Sequence, residues 1–157
     1  MSSYNRISEV YKTAGHIPFD DSSKFILMSD CHRGDGNWED SFAHNQTLYY
    51  SALYHYYDQD YTYIELGDGD ELWKNRNFLN ITKIHNNIFK LLSKFHEKNR
   101  LYLIYGNHDI VKKNKRWLKK NFFTYTNEQA NQIVPLFDGI KIHGGIIGVG
   151  ETVFVVL

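Results

Sequence analysis

Tyr61-Thr62-Tyr63-Ile64-Glu65-Leu66, followed at once by Gly67-Asp68-Gly69-Asp70-Glu71, is the stretch on which the fold turns. A β-prone apolar run that stops on glycine and carboxylates reads as a buried strand opening into a polar loop. Upstream, Tyr50, Leu53, Tyr54 and Tyr57 recur at spacings of three and four, which predicts an amphipathic helix over 39–58, entered after Gly36-Asn37. Downstream, Phe78, Ile81, Ile84, Ile88, Leu91, Leu92 and Phe95 form the cleanest helical stripe in the chain and predict a helix over 77–98. Outside these helices, 24–29 (Lys-Phe-Ile-Leu-Met-Ser) and 101–105 read as two more strands. Strands separated by whole helices cannot close as hairpins, so they pair in parallel through right-handed crossovers with helices packed on the sheet. The predicted class is α/β.

Past residue 110 the pattern weakens. A basic stretch over 112–120 reads as helical, a polar segment follows around 124–132, and apolar runs near 133–142 and 152–157 flank two glycine clusters. Together the glycines and the apolar runs suggest a β-hairpin feeding a last strand. Residues 1–23 read as an N-terminal extension and 24–157 as one domain, with no internal repeat.

At 157 residues the chain has room for one real core, and two prolines with 42% hydrophobic content exclude a collagen-like or disordered polymer. Eighteen Lys and Arg balance eighteen Asp and Glu. That neutrality argues against a whole-surface nucleic-acid or anionic-membrane binder. No apolar run approaches the ~20 residues of a membrane span. The first sixteen residues lack the apolar centre of a secretory signal, and Cys31 is the sole cysteine, so no intrachain disulfide forms and a reducing, cytoplasmic setting is expected.

Each of the three early strands ends in metal-type ligands: Asp30-Cys31-His32, then Gly67-Asp68-Gly69-Asp70-Glu71, then Gly106-Asn107-His108-Asp109. Ligands bind beyond the carboxyl ends of strands in α/β sheets, so the three clusters are expected to converge. On an extended chain Asp30 and His32, two apart, would project to one side and reach one cation, with Cys31 turned away. Glycines beside Asp68 would let backbone approach the ion. A mixed oxygen and imidazole shell suits Mn²⁺, Fe or Zn²⁺, and Mn²⁺ is the leading expectation.

In this order the motifs resemble the calcineurin-like metallophosphoesterases, whose pattern runs Asp-x-His, Gly-Asp-x-x-Asp/Glu and Gly-Asn-His-Asp/Glu. The likeness covers roughly 24–157 and implies a sandwich of central mixed β-sheets flanked by helices. It further implies two divalent metal ions, with Asp30 and His32 on the first, Asp68 bridging both and Asn107 on the second. His108 would contact the substrate phosphate and assist the leaving group, Asp109 would orient His108, and Glu71 and Arg33 would lie behind the ligands or against the substrate. The Gly-Asp-x-x-Glu form with Trp73 nearby is most similar to the UDP-2,3-diacylglucosamine pyrophosphatase branch. The family completes its shells with later histidines, whereas only His143 follows His108 here. The resemblance therefore implies a chain cut short, carrying the N-terminal portion of the fold, with a weak second metal site.

The expected activity is metal-dependent hydrolysis of a phosphorylated small molecule, nucleotide, lipid or protein. The rival readings are a non-catalytic metal- or phosphate-binding scaffold and a nucleic-acid binder acting through 112–123, where six cations fall in nine positions over 112–120. Net neutrality favours a solvated helix face for that run over nucleic-acid binding. Arg33 reads equally as a phosphate contact or a structural salt bridge. The dense tyrosines of 49–63 and Cys31 read as core, His143 as an edge-strand residue, and His44, His55, His85 and His96 as half-exposed helix residues.

Overall fold

The computed structural model describes residues 3–38, 40–127, 132–150 and 153–156. Its elements run α1 (Ser3–Thr13), β1 (Gly15–Pro18), β2 (Phe25–Met28), α2 (Gln46–Asp58), β3 (Thr62–Leu66), α3 (Phe78–Ile84), α4 (Asn86–Glu97) and β4 (Leu101–Ile104). There follow α5 (Lys115–Asn121), β5 (Thr124–Asn127), β6 (Gln132–Pro135), β7 (Ile142–His143), β8 (Ile146–Val149) and β9 (Val153–Val156).

Strands β2, β3, β4 and β7 form one parallel sheet in the order β2-β3-β4-β7, as the crossover argument requires. Alternation along each strand divides its side chains between two cores. Tyr63, Leu101 and Leu103 face the helices, in a cluster with Leu53, Ile81, Ile88, Leu92 and Phe95. Ile64 and Ile104 face the opposite way and pack on Ile17 and Ile146 of a second sheet, β1-β8-β9. The class is α/β, with one sheet held between helices and a smaller mixed sheet.

Several elements depart from the pattern in the sequence. The helix expected from 39 begins at Gln46, after a 3₁₀ turn at Ala43–Asn45, and Glu39 itself lies outside the described residues. The stripe over 77–98 is broken at His85, whose ring turns inward with Nε2 3.0 Å from Asp40 Oδ2 and 3.1 Å from Gly34 O. His85 is fully buried, not half-exposed, and burial lowers its pKa even against the raising effect of Asp40. The polar segment near 124–132 supplies β5, which pairs antiparallel with β6 at the start of the apolar run near 133–142; residues 128–131 lie outside the described residues. The hairpin at the chain's end is β8 with β9, and 151, 152 and 157 are outside the described residues. Residues 15–18, ahead of the expected start of the domain, pair in parallel along the whole of β8. None of the described helices is long and apolar enough to cross a membrane.

Candidate metal centre

The parallel register of β2, β3 and β4 sets the loops after Met28, Leu66 and Ile104 at one edge of the sheet. Backbone bonds lock the first two loops together: His32 N–H donates to Asp68 O at 2.8 Å and Arg33 N–H to Gly69 O at 3.0 Å. The third joins through the His108 N–H, which donates to Asp68 Oδ1 at 2.8 Å. Such contact requires glycine at 106, because a Cβ there would overlap the Asp68 carboxylate. Three non-glycine residues, Asp30, His32 and Asp68, adopt left-handed φ values of 54°, 49° and 48°. Backbone of this kind costs energy and gathers at functional sites.

Donor atoms of His32, Asp68 and His108 lie within 4.8 Å of one another. The two imidazoles meet edge to face at 4.4 Å. Behind them stands Glu71, its Oε2 2.8 Å from His108 Nδ1 and 3.4 Å from His32 Nδ1. A carboxylate on Nδ1 holds the proton there in the neutral ring and leaves the Nε2 lone pair for a ligand. Burial pushes the Glu71 carboxyl up, but hydrogen bonds from His108 and the Lys74 N–H outweigh it and hold the group below its ordinary range. Trp73, two-thirds exposed, sets its ring 5.1 Å from that of His108.

Beneath the loops lies a buried ion cluster. Arg33 forks onto Glu65 at 2.7 and 3.0 Å and sends Nε to Asp70 Oδ1 at 2.8 Å. Lys112 Nζ reaches Asp70 Oδ2 at 2.7 Å and Asp109 Oδ2 at 2.6 Å. All five side chains are at most 1% exposed. Burial opposes the charge on Asp70, yet Arg33 and Lys112 prevail and hold its carboxyl at about 2.

A sequence model of the calcineurin-like phosphoesterases matches residues 23–156. The chain belongs to that family. No curated protein and no solved structure matches it. The fold is thus the calcineurin-like sandwich in its α/β form, and the family's reliance on divalent metal accords with the His32, Asp68 and His108 group.

The structure departs from several of the residue-level expectations. The structure does not bring Asp30 into the donor group. Left-handed backbone at Asp30 and His32 replaces the extended chain on which the same-side argument rested, and the exposed Asp30 carboxylate accepts from Ser29 Oγ at 2.7 Å. Asn107 is exposed on the third loop. Asp109 does not hold the His108 ring: its Oδ1 accepts from Gly106 N–H at 2.7 Å and its Oδ2 from Lys112, so it braces the loop while Glu71 takes the ring. Arg33 is the salt bridge of its two readings, and Lys112, read as part of a solvated face, is fully buried. His143 ends the short edge strand β7, its ring against Gly15. Burial raises the Cys31 thiol to about 11, so it stays protonated as a core group.

The Glu71 geometry has a measurable consequence. Glu71→Gln keeps the volume but removes the anion from both Nδ1 positions. Partners of this kind cost about 10–100-fold in metal affinity or activity when lost. A calorimetric Mn²⁺ titration should show a loss in that range with Tm nearly unmoved; unchanged affinity would mean that the two contacts are idle.

Proposed function

We propose that the chain hydrolyses phosphate esters with two divalent cations held among the loops of Asp30 and His32, Asp68, and Asn107 and His108. The observation that carries this reading is the convergence of His32, Asp68 and His108 at the carboxyl edge of three adjacent parallel strands. Imidazole nitrogen beside carboxylate oxygen suits Mn²⁺ first, with Fe or Zn²⁺ as alternatives. When bound, such cations supply Lewis acidity and a source of hydroxide at neutral pH.

The chain's own residues do the rest. Asp68, central among the three loops, is the ligand proposed to be shared. Glu71 holds the His108 ring by its Nδ1, and Nε2, which carries no cation in this reading, is the atom from which a proton passes to the leaving oxygen. Asp109 and the buried ion cluster keep the third loop at the distance that this transfer needs. Closeness to the UDP-2,3-diacylglucosamine pyrophosphatase branch rests on Glu71 and Trp73 alone.

The test is hydrolysis of bis(p-nitrophenyl) phosphate and p-nitrophenyl phosphate by the wild-type chain. Turnover is expected with added Mn²⁺, is lost on chelation and returns when metal is restored. Binding of Mn²⁺ without turnover of either ester, with Mn²⁺, Fe²⁺ or Zn²⁺, would favour the non-catalytic scaffold instead.

A further inference from the structure

The zero net charge conceals a segregation. Residues 1–71 hold thirteen acidic and four basic side chains, residues 72–127 two acidic and thirteen basic, and residues 128–157 three and one. Of the two acids in the middle segment, Asp109 is buried against Lys112, which leaves Glu97 alone at the surface. The neutrality that argued against a polyanion partner is therefore a property of the sum and not of this face.

Part of this charge lies on the loop that carries Glu71 and on the helix that follows the third loop of the metal centre. Lys74 and Arg76 lie three and five residues after Glu71, and both are exposed. Lys115, Arg116, Lys119 and Lys120 fall at i, i+1, i+4 and i+5 of α5, all exposed, while Leu118 is buried and Trp117 packs on Phe78 at 5.6 Å. That ring contact ties α5 to the start of α3, where the Lys74 and Arg76 loop ends. Thr82 of α3 lines both a groove shared with Lys120 and a smaller one shared with Lys90, so the basic surface runs on from α5 to α4. Lys90 and Lys94 of α4 and Lys98 at its C-cap recur at spacings of four and lead away from the centre toward the other edge of the sheet, where Lys98 lies over the Tyr57 ring at 4.8 Å. Among the described residues none of Lys74, Arg76, Lys115, Arg116, Lys119 and Lys120 is in an ion pair.

Apolar groups are set into this surface. Trp73 packs its ring on His108 and immediately precedes Lys74, and Leu79 and Ile133, 41% and 74% exposed, border the groove of Lys120. Cations that follow a backbone, interleaved with exposed flat or apolar side chains, are the chemistry of single-strand recognition: every base has a face to stack and every nucleotide a phosphate. A phosphomonoester is too small to reach the α5 row from the metal centre, whereas a strand can follow it.

We propose that this face binds a single-stranded nucleic acid whose backbone passes the His32, Asp68 and His108 site, with Trp73 stacking on a base beside it. In naming that strand as substrate, though not in naming the surface, the inference rests on the phosphoesterase reading above.

The experiment is fluorescence anisotropy of the full chain with a labelled single-stranded oligonucleotide, metal-free and then with Mn²⁺. For about five phosphate contacts on a single strand, raising salt from about 50 to about 200 mM should weaken binding roughly 100-fold. Lys115→Ala/Arg116→Ala/Lys119→Ala/Lys120→Ala should weaken it at least about tenfold and flatten the logarithmic salt slope by about 3. Lys74→Ala/Arg76→Ala serves as an independent second variant with the same direction of change. Trp73→Ala should cost about 5- to 100-fold by loss of one stacked base. Absent binding, binding indifferent to both basic variants, or preference for duplex or for anionic phosphatidylserine vesicles overturns the proposal. Such a result alongside intact bis(p-nitrophenyl) phosphate hydrolysis would leave the phosphoesterase reading standing. Oligonucleotide binding without hydrolysis of either small ester would leave the surface standing and remove the reading of the site.

Discussion

Lys112→Met is expected to destabilise the fold by about 3–5 kcal/mol, the usual cost of removing one partner from a buried ion pair. For a chain of this size that corresponds to a fall in Tm of about 6–20 °C. Methionine fills the space of the lysine stem, so the loss isolates the charge. Two carboxylates, Asp70 and Asp109, face Lys112 Nζ at 2.7 and 2.6 Å, and all three side chains are fully buried. Without the ammonium, Arg33 would be left to balance both Glu65 and Asp70, and Asp109 would keep only the Gly106 N–H. Adding Asp70→Asn to Lys112→Met should recover part of the loss, because it removes the charge that had been left uncompensated. The cluster also fixes the direction of acid sensitivity. Asp70 has its carboxyl lowered from the ordinary 3.8 to about 2, so its contribution is complete above about pH 4 and disappears as pH falls toward 2. Unfolding followed by circular dichroism should therefore steepen over that window in the wild type and begin at higher pH in Lys112→Met. A Tm within about 2 °C of wild type would show that the interior readjusts around the missing cation.

The legible part of this molecule is what periodicity encodes. The β-prone run from Tyr61 to Leu66 marked a buried strand, and the 3.6-residue stripe through Ile81, Ile88 and Phe95 marked helix packed over it. Once those strands were parallel, the loops after them had to share an edge, and the donor group followed. What periodicity does not encode is backbone handedness in the loops. The positive φ at Asp30 and His32 decides which side chains face the cation position, and nothing in Asp-Cys-His announces it. Partners distant in sequence were hidden for the same reason. Glu65 did carry a signal, since a carboxylate on the core-facing parity of a buried strand demands a cation. The identity of that cation as Arg33, 32 residues earlier, depends on how the first two loops dock. Lys112 sat in a run of like charges whose other members are exposed. His85 interrupted a helical stripe without altering its period, because Asp40 and Gly34, which draw it inward, belong to a different loop.

Asp68→Asn should separate folding from chemistry more cleanly than any other single change. The residue sits at φ 48°, a conformation that asparagine tolerates about as well as aspartate, so the turn between β3 and the second loop keeps its backbone. Its Oδ1 accepts the His108 N–H at 2.8 Å, and an amide oxygen can accept the same bond. The charge is what goes. With it go the one anionic ligand in the His32, Asp68 and His108 group and the oxygen proposed to be shared between two cations. A cation at such a site contributes several kcal/mol of charge stabilisation in the transition state, and each ~1.4 kcal/mol is a factor of ten in rate. Loss of about 4 kcal/mol predicts a fall on the order of 10³-fold in metal-dependent hydrolysis, with Mn²⁺ affinity reduced in a calorimetric titration and Tm kept within a few degrees. Asp68→Ala would lose the His108 hydrogen bond as well, so its larger loss of stability would confuse the two effects. If Asp68→Asn hydrolyses bis(p-nitrophenyl) phosphate within about threefold of wild type, Asp68 is a brace for the His108 loop and the shared ligand must be sought elsewhere. If activity and Tm collapse together, the negative charge itself holds the fold at that position, since asparagine keeps both the backbone angle and the hydrogen bond.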